Sequence, residues 1–76
     1  MIKLYTTPTC VYCKNLKEYF KSNGILYEEV DVSKNEEDLQ EMIKISNQMG
    51  VPVVDIDGQI VVGFDKVKID KILNIK

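Results

Sequence analysis

Cys10-Val11-Tyr12-Cys13 lies at the point where an apolar segment, residues 1–5, gives way to a helical pattern. These are the only two cysteines in 76 residues, and the chain has no histidine. Two thiols three residues apart at the start of a helix can interconvert between a dithiol and a disulfide. The same position makes the first thiol acidic, because the positive end of the helix dipole favours the thiolate.

The flanking residues predict a strand before this stretch and a helix after it. Residues 2–6 combine alternation with β-favouring side chains, and Thr7-Pro8-Thr9 interrupts them. The helix is predicted over residues 11–23, because Asn23-Gly24 suits the left-handed conformation that ends helices. Cys10 would then be its N-cap residue. The apolar face of this helix would carry Val11, Leu16, Tyr19 and Phe20.

The rest of the chain predicts three more strands and two more helices. Ser33 and Glu36 have the spacing of a capping box, which predicts a second helix ending near Gly50. Asp57-Gly58 is typical of a tight hairpin, and Asp65 can cap a last helix. That helix would carry on its inner face Val67, Ile69, Ile72 and Leu73. The three strands are predicted at residues 25–32, 51–56 and 59–62.

This order, β-α-β-α-β-β-α, predicts an α/β fold with a mixed four-stranded sheet. The first β-α-β unit should be parallel and right-handed, whereas the hairpin must be antiparallel. Seventy-six residues allow one domain, residues 1–76, with one core.

The composition excludes several classes of partner. Twelve acids against ten lysines, with no arginine, give a net charge of −2 and no basic run for nucleic acid or a membrane surface. No segment approaches the roughly 20 apolar residues that span a bilayer, and the N-terminus has no secretory core region. We therefore expect a cytoplasmic monomer, in a compartment where disulfides are mostly transient and catalytic.

The helix start makes Cys10 the more acidic of the two thiols, which predicts unequal roles for Cys10 and Cys13. Cys10 would attack a target disulfide as a thiolate, and Cys13 would then release the target by attacking Cys10. Lys14 and Lys17 are nearby cations that could stabilise the thiolate. A structural disulfide is disfavoured, since closing so short a loop contributes only about 2 kcal/mol. Zinc needs four ligands, of which this pair supplies two. Two inert thiols remain an alternative.

At these residues the chain resembles a glutaredoxin, within the thioredoxin-like fold. The resemblance rests on residues 5–13, on Val51-Pro52-Val53 and on Val62-Gly63-Phe64-Asp65, in the expected order and spacing. It covers essentially the whole chain and implies helices on both faces of the sheet. It also implies a role in electron transport and cell redox homeostasis.

Carried over residue by residue, the resemblance implies a substrate groove around the cysteines. Cys10 would be the nucleophile and Cys13 the resolving thiol, which together form the redox-active disulfide. A cis peptide bond would precede Pro52, and the backbone of Val51 would pair with a bound peptide or thiol. Tyr12 would line the groove, and its far wall would be formed by Gly63, Phe64 and Asp65. Asp65 could meet the amino group of glutathione, cap its own helix, or do both.

Several positions depart from typical glutathione-using relatives. Thr7 stands in place of a basic residue, Gly50 in place of a threonine and Val62 in place of a glycine, and no arginine is present for a carboxylate. Lys14 or Gln48 could partly compensate. Val11 and Gly63-Phe64 instead resemble redoxins that take electrons from thioredoxin reductase and serve ribonucleotide reductase, although those usually carry a tryptophan absent here.

These observations predict a glutaredoxin-like dithiol–disulfide oxidoreductase. Its substrates would be disulfide-containing or glutathionylated proteins, and its electron donor either glutathione or a thioredoxin-reductase-type enzyme. No tightly bound cofactor and no metal are expected, with glutathione as a possible co-substrate. The alternative is a soft-metal module that uses Cys10 and Cys13 for Cu(I), or Cys10 with glutathione for a shared iron–sulfur cluster.

Overall fold

The computed structural model describes residues 1–75 and contains seven elements in the predicted order. The strands are β1 (Ile2–Thr6), β2 (Glu28–Asp31), β3 (Val53–Ile56) and β4 (Gln59–Val62). The helices are α1 (Val11–Ser22), α2 (Glu36–Ser46) and α3 (Lys66–Leu73). Within residues 1–75, no helix is both long and apolar enough to cross a membrane.

The four strands form one mixed sheet in the order β2-β1-β3-β4. β1 is parallel to β2, whereas the β1–β3 and β3–β4 pairs are antiparallel. The sheet therefore brings the carboxyl ends of β1 and β4 and the start of β3 to one end. This end leads directly into the Cys10 segment. The strand order and the strand pairing confirm the predicted thioredoxin-like fold.

Helices cover both faces of the sheet, as predicted. Because side chains alternate along a strand, Leu4 and Tyr5 point to opposite faces. Leu4 belongs to the larger cluster, which α1 and α3 cover with Leu16, Phe20 and Ile69. Tyr5 belongs to the smaller cluster, which α2 covers with Met42.

The predicted cap of the second helix is wrong. Both the backbone N–H and the hydroxyl of Ser33 donate to the Asp31 carboxylate, at 2.9 and 2.6 Å, which holds Ser33 in a turn before the helix. Asn35 is the N-cap instead, and its Oδ1 accepts the N–H of Glu37 at 2.8 Å. The helix also ends before Gly50, because Asn47 takes a left-handed conformation with φ 58°.

Two strands are shorter than predicted, and two apolar residues lie outside the core. The second strand begins at Glu28 and the third at Val53, since the preceding residues make no sheet pairing. Val11 and Val67 are 68% and 79% exposed, although both were predicted on inner faces. Each lies in the first turn of its helix, and the buried positions of these helices are Cys13, Leu16 and Phe20 in α1 and Ile69 in α3.

Candidate active site

Cys10 is the N-cap residue of α1, as predicted. Its backbone is extended, with φ −84° and ψ 111°, and its N–H donates to the carbonyl of Thr7 at 3.3 Å. The Cys10 Sγ accepts the N–H of Cys13 at 3.1 Å. An amide of the first turn and the positive end of the helix therefore both point at this sulfur, which favours the thiolate when the pair is reduced.

Cys10 and Cys13 form a disulfide, with their Cα atoms 5.2 Å apart. Cys10 is partly exposed, whereas Cys13 is only 1% exposed. Only the first of the two sulfurs can therefore be reached from solution. This unequal access is the geometry that a nucleophile and a resolving thiol require.

A second segment, leading into β3, lies at the same end of the sheet as the cysteines. The peptide bond between Val51 and Pro52 is cis, as the resemblance implies. Pro52 is buried and Val51 is half-buried. The carbonyl of Pro52 accepts the N–H of Gly63 at 2.8 Å, which ties this segment to the end of β4.

The third segment, residues 63–65, connects β4 to α3. Gly63 has φ 78°, a conformation that favours glycine. Phe64 is half-buried against the larger core cluster, and its ring lies 5.6 Å from the ring of Tyr19 on α1. Asp65 is the N-cap of α3, and its Oδ1 accepts the N–H of Lys68 at 3.2 Å. Helix capping by Asp65 is therefore confirmed, and its contact with glutathione stays a prediction.

The two lysines predicted near the thiolate differ in their surroundings. The Lys17 Nζ lies 3.0 Å from Glu29 Oε2, which also accepts the hydroxyl of the buried Thr6 at 2.8 Å. Burial raises the pKa of Glu29, but the hydrogen bonds from Lys17 and Thr6 outweigh it and leave that pKa below its ordinary value. Lys14 is exposed and makes no ion pair with the part of the chain that the structure describes. Neither lysine's role at the thiolate is tested.

Two large side chains next to Cys10, one aromatic and one aliphatic, face solvent. Tyr12 is 66% exposed, and Val11 is 68% exposed. Both follow Cys10 directly, so they border the only sulfur of the pair that solution reaches. This position of Tyr12 is consistent with the predicted groove-lining role, which stays a prediction.

Sequence reasoning missed a clamp formed by the side chain of Gln48 on the backbone of Gly50. The N–H of Gly50 donates to Gln48 Oε1 at 2.6 Å, and Gln48 Nε2 donates to the carbonyl of Gly50 at 2.9 Å. Gln48 Nε2 also donates to the hydroxyl of Ser46 at 3.2 Å. A Cβ on residue 50 would lie 2.8 Å from Gln48 Oε1, so a larger residue there would displace the Gln48 amide. The Gln-x-Gly spacing before Val51-Pro52 was the available signal.

Comparison with known proteins agrees with this geometry. The glutaredoxin family model matches residues 2–61. The chain belongs to the glutaredoxin family. This glutaredoxin is 51% identical over 73 residues to an uncharacterised glutaredoxin-like 8.6 kDa protein in the rubredoxin operon of Clostridium pasteurianum, covering 96% of this chain and 97% of that one.

Two further proteins place the glutaredoxin chain in the same group. It is 36% identical over 64 residues to glutaredoxin 3 of Escherichia coli strain K12, covering 84% of this chain and 77% of that protein. A crystal structure of a mutant of the thioredoxin-like protein BC3987 superposes with a TM-score of 0.93 at 36% identity, covering 99% of this chain and 96% of that one. The predicted membership is confirmed, and a thiol redox role for the cysteine pair is supported.

Proposed function

We propose that this chain is a dithiol–disulfide oxidoreductase in which Cys10 attacks the target and Cys13 resolves the mixed disulfide. The observation that carries the proposal is the unequal placement of the two sulfurs. The reachable Cys10 Sγ accepts an amide N–H of the first helical turn, and Cys13, one turn further on, is 1% exposed. Membership of the glutaredoxin family supports the same assignment.

The reaction balances without a bound cofactor. The Cys10 thiolate bonds to one sulfur of the target disulfide, and the other sulfur leaves as a thiolate that takes up a proton. Cys13 loses its proton and attacks the Cys10 Sγ, which releases the second target thiol. The target gains two electrons, and this chain ends with the Cys10–Cys13 disulfide that the structure contains.

A thiol donor must then return two electrons to the disulfide. Glutathione as a co-substrate and a thioredoxin-reductase-type enzyme are the two donor classes that we propose to test. We expect no tightly bound cofactor in either case, since both donors act by transient encounter. The proposed setting is the cytoplasm, where thiols are mostly reduced and a disulfide of this kind turns over.

The soft-metal alternative stays a prediction. Two adjacent cysteines suit Cu(I) as well as thiol exchange. Within residues 1–75 there is no group of three or more His, Cys, Asp or Glu side chains placed to hold a metal ion. No contact among these residues favours the metal role over thiol exchange, so thiol exchange is the function that we put forward.

A single-turnover assay tests the proposal. The chain is reduced with dithiothreitol, freed of the reagent and mixed with hydroxyethyl disulfide, and the released thiol is measured with time. We expect two thiols released per chain, with the Cys10–Cys13 disulfide re-formed. A Cys10→Ser variant should release none above the uncatalysed rate, whereas full activity of that variant would refute the mechanism.

A further inference from the structure

We propose that Glu29 is a positioning residue for the cysteine pair, because its carboxylate ties together the two ends of the active-site segment and so holds the Cys10 sulfur at the start of α1. This rests on the dithiol–disulfide exchange proposed above and adds a residue that acts on Cys10 through its neighbours. Three observations carry it. One oxygen of Glu29 joins two elements, the joined residues flank the cysteines, and the turn between them has little support of its own.

One carboxylate oxygen of Glu29 accepts hydrogen bonds from two different elements. Glu29 Oε2 accepts the hydroxyl of Thr6 at 2.8 Å and the Nζ of Lys17 at 3.0 Å. Glu29 belongs to β2, Thr6 is the last residue of β1, and Lys17 lies in α1. Three elements therefore meet at a single atom. We call these three residues and their two hydrogen bonds the Glu29 bridge.

The Glu29 bridge encloses the cysteine pair along the chain. Thr6 lies four residues before Cys10, and Lys17 lies four residues after Cys13. Residues four apart in a helix lie on the same side, so the side chain of Lys17 leaves α1 next to that of Cys13. The segment that contains both sulfurs is therefore held at its two ends by one carboxylate.

The end of β1 gives the bridge a fixed point. Thr6 is 1% exposed and is the one polar or charged residue among residues 1–75 that is buried. A buried hydroxyl without a partner costs free energy, so its hydrogen bond to Glu29 is favoured on folding. The carbonyl of Thr6 accepts the N–H of Val32 at 3.0 Å, and Leu4 pairs with Glu29 across the two strands. The strand pairing thus sets the position of the carboxylate, which in turn holds α1.

The turn between β1 and α1 has little support from its own backbone. Pro8 has no N–H, and both Pro8 and Thr9 are exposed. Among the residues that the structure describes, the one backbone hydrogen bond across this turn runs from the N–H of Cys10 to the carbonyl of Thr7 at 3.3 Å. Reduction also removes the disulfide that constrains Cys10. Glu29 and its two donors take no part in the exchange, so the bridge holds the turn in the dithiol form as well.

The bridge requires the charged form of Glu29, which its surroundings favour. Burial raises the pKa of Glu29, and the nearby Asp31 does so too, but the hydrogen bonds and charge of Lys17 and the hydrogen bond of Thr6 leave that pKa below its ordinary 4.5. The carboxylate is therefore ionised at neutral pH. Because an ion pair carries no net charge, Glu29 and Lys17 together act on Cys10 through its position and not through charge.

Alkylation of the reduced chain with iodoacetamide over a range of pH tests the proposal, since the rate follows the thiolate fraction of Cys10. Thr6→Val removes one bond of the bridge, and the double variant Glu29→Ala with Lys17→Met removes the other. Both leave the net charge of the chain unchanged. In each, Cys10 Sγ should lose its fixed position against the N–H of Cys13. We expect the alkylation midpoint to rise by about 0.7 pH unit, a roughly fivefold lower thiolate fraction at neutral pH.

Glu28→Gln is the matched control. Glu28 is the neighbouring acid on β2, it is exposed, and its side chain points to the opposite face of the sheet from that of Glu29. It makes no ion pair with the part of the chain that the structure describes. This variant should keep the wild-type midpoint, and peptide mapping should place the modification of every variant on Cys10.

The result distinguishes positioning from a role in stability alone. Thermal unfolding shows which variants are folded at the assay temperature, and Thr6→Val, which keeps the shape of the side chain, decides the test if the double variant does not fold. Folded variants that unfold at lower temperature but keep the wild-type midpoint would overturn the proposal. A midpoint that moves to lower pH would overturn it as well.

The exchange reaction is measured separately. With hydroxyethyl disulfide, the bridge variants should still release two thiols per chain, because Cys10 and Cys13 are unchanged. Alkylation of Cys10 needs no target disulfide. A wild-type chain that released no thiol would therefore overturn the proposed exchange, whereas an unchanged alkylation midpoint in the bridge variants would overturn the role of Glu29 alone.

Discussion

The ring of Tyr19, on the helix that begins after Cys10, lies 5.6 Å from the ring of Phe64, with the ring planes inclined by 49°. The Tyr19 hydroxyl donates to the carboxylate of Asp70 on α3. Lys66 Nζ lies 2.7 Å from the same carboxylate and 5.2 Å from the centre of the Tyr19 ring. One cluster thus joins the active-site helix to α3 and to the residue predicted in the far wall of the groove.

Asp70→Asn should lower the stability of the fold at neutral pH. It should also make that stability change less between neutral and acidic pH. The hydrogen bond from Lys66, followed by that from Tyr19, holds the pKa of Asp70 below its ordinary 3.8. The stabilisation is therefore present above pH 3.8 and is lost as pH falls through the lower folded-state value. Thermal unfolding of both proteins between neutral and acidic pH measures this. Glu18→Gln, an exposed acid on α1, is the control, and an equal effect there would contradict the assignment.

The clamp between Gln48 and Gly50 should make the effects of substitutions at these two residues on the free energy of unfolding non-additive. Gln48→Ala removes both hydrogen bonds, and Gly50→Ala pushes the Gln48 amide away, since a Cβ would lie 2.8 Å from its oxygen. Each change should cost about 1 kcal/mol in the free energy of unfolding. The double variant should cost no more than the larger single effect, because both remove one interaction. Urea unfolding of the four proteins measures this, and simple addition of the two effects would disprove the clamp.

Tyr5→Phe should be neutral or stabilising at neutral pH, by up to about 1 kcal/mol, since it removes a buried polar group. The Tyr5 hydroxyl is buried and has no hydrogen-bond partner among the residues that the structure describes. Chemical denaturation at neutral pH measures the difference. A loss of more than that amount would show that the hydroxyl is satisfied.

The same variant should also be more resistant to alkali. Burial, and then the carboxylates of Glu41 and Asp55, raise the pKa of Tyr5 from 10.0 to about 12. Because the folded-state pKa is the higher one, ionisation of Tyr5 costs no stability below pH 10.0, and stability is lost as pH rises from there toward about 12. Unfolding midpoints across this range measure the effect, with the exposed Tyr12→Phe as the control.

Cys13→Ser should stop the reaction at the mixed disulfide. Cys10 stays partly exposed at the helix start and can still attack, but the buried resolving thiol is gone. With hydroxyethyl disulfide, intact-mass spectrometry should show one added thioethanol group per chain, and tryptic mapping should place it on Cys10. Release of two thiols by this variant would show that Cys13 does not resolve.

Asn35→Ala should cost about 1 kcal/mol, the usual effect of losing an N-cap side chain. Asn35 Oδ1 accepts the N–H of Glu37, which has no partner within the helix. Ser33→Ala is the matched control, because Ser33 bonds only to Asp31 in the preceding turn. Its cost should be clearly smaller in the same denaturation experiment, and a larger cost for Ser33→Ala would restore the cap predicted from the sequence.

Much of the fold was predictable, because its signals act over a few residues. Alternation along β1, the hairpin at Asp57-Gly58 and the cap at Asp65 each follow from local backbone preferences. The position of Cys10 at a helix N-cap follows in the same way. The second cap was mistaken because Ser33 and Asn35 both suit that role, and only the contact with Asp31 separates them.

By itself the sequence determined the element order, the position of the cysteine pair at a helix start and the family to which the chain belongs. Only the tertiary structure decided the partners of the charged and polar side chains. Lys17 meets Glu29 12 residues away, and Tyr19 meets Asp70 51 residues away. From the sequence alone, several other acids could equally well have been the partners of Lys17 and Tyr19. A hydrogen bond requires atoms a few ångströms apart, and only the register of the sheet and the packing of α1 against α3 bring these atoms together.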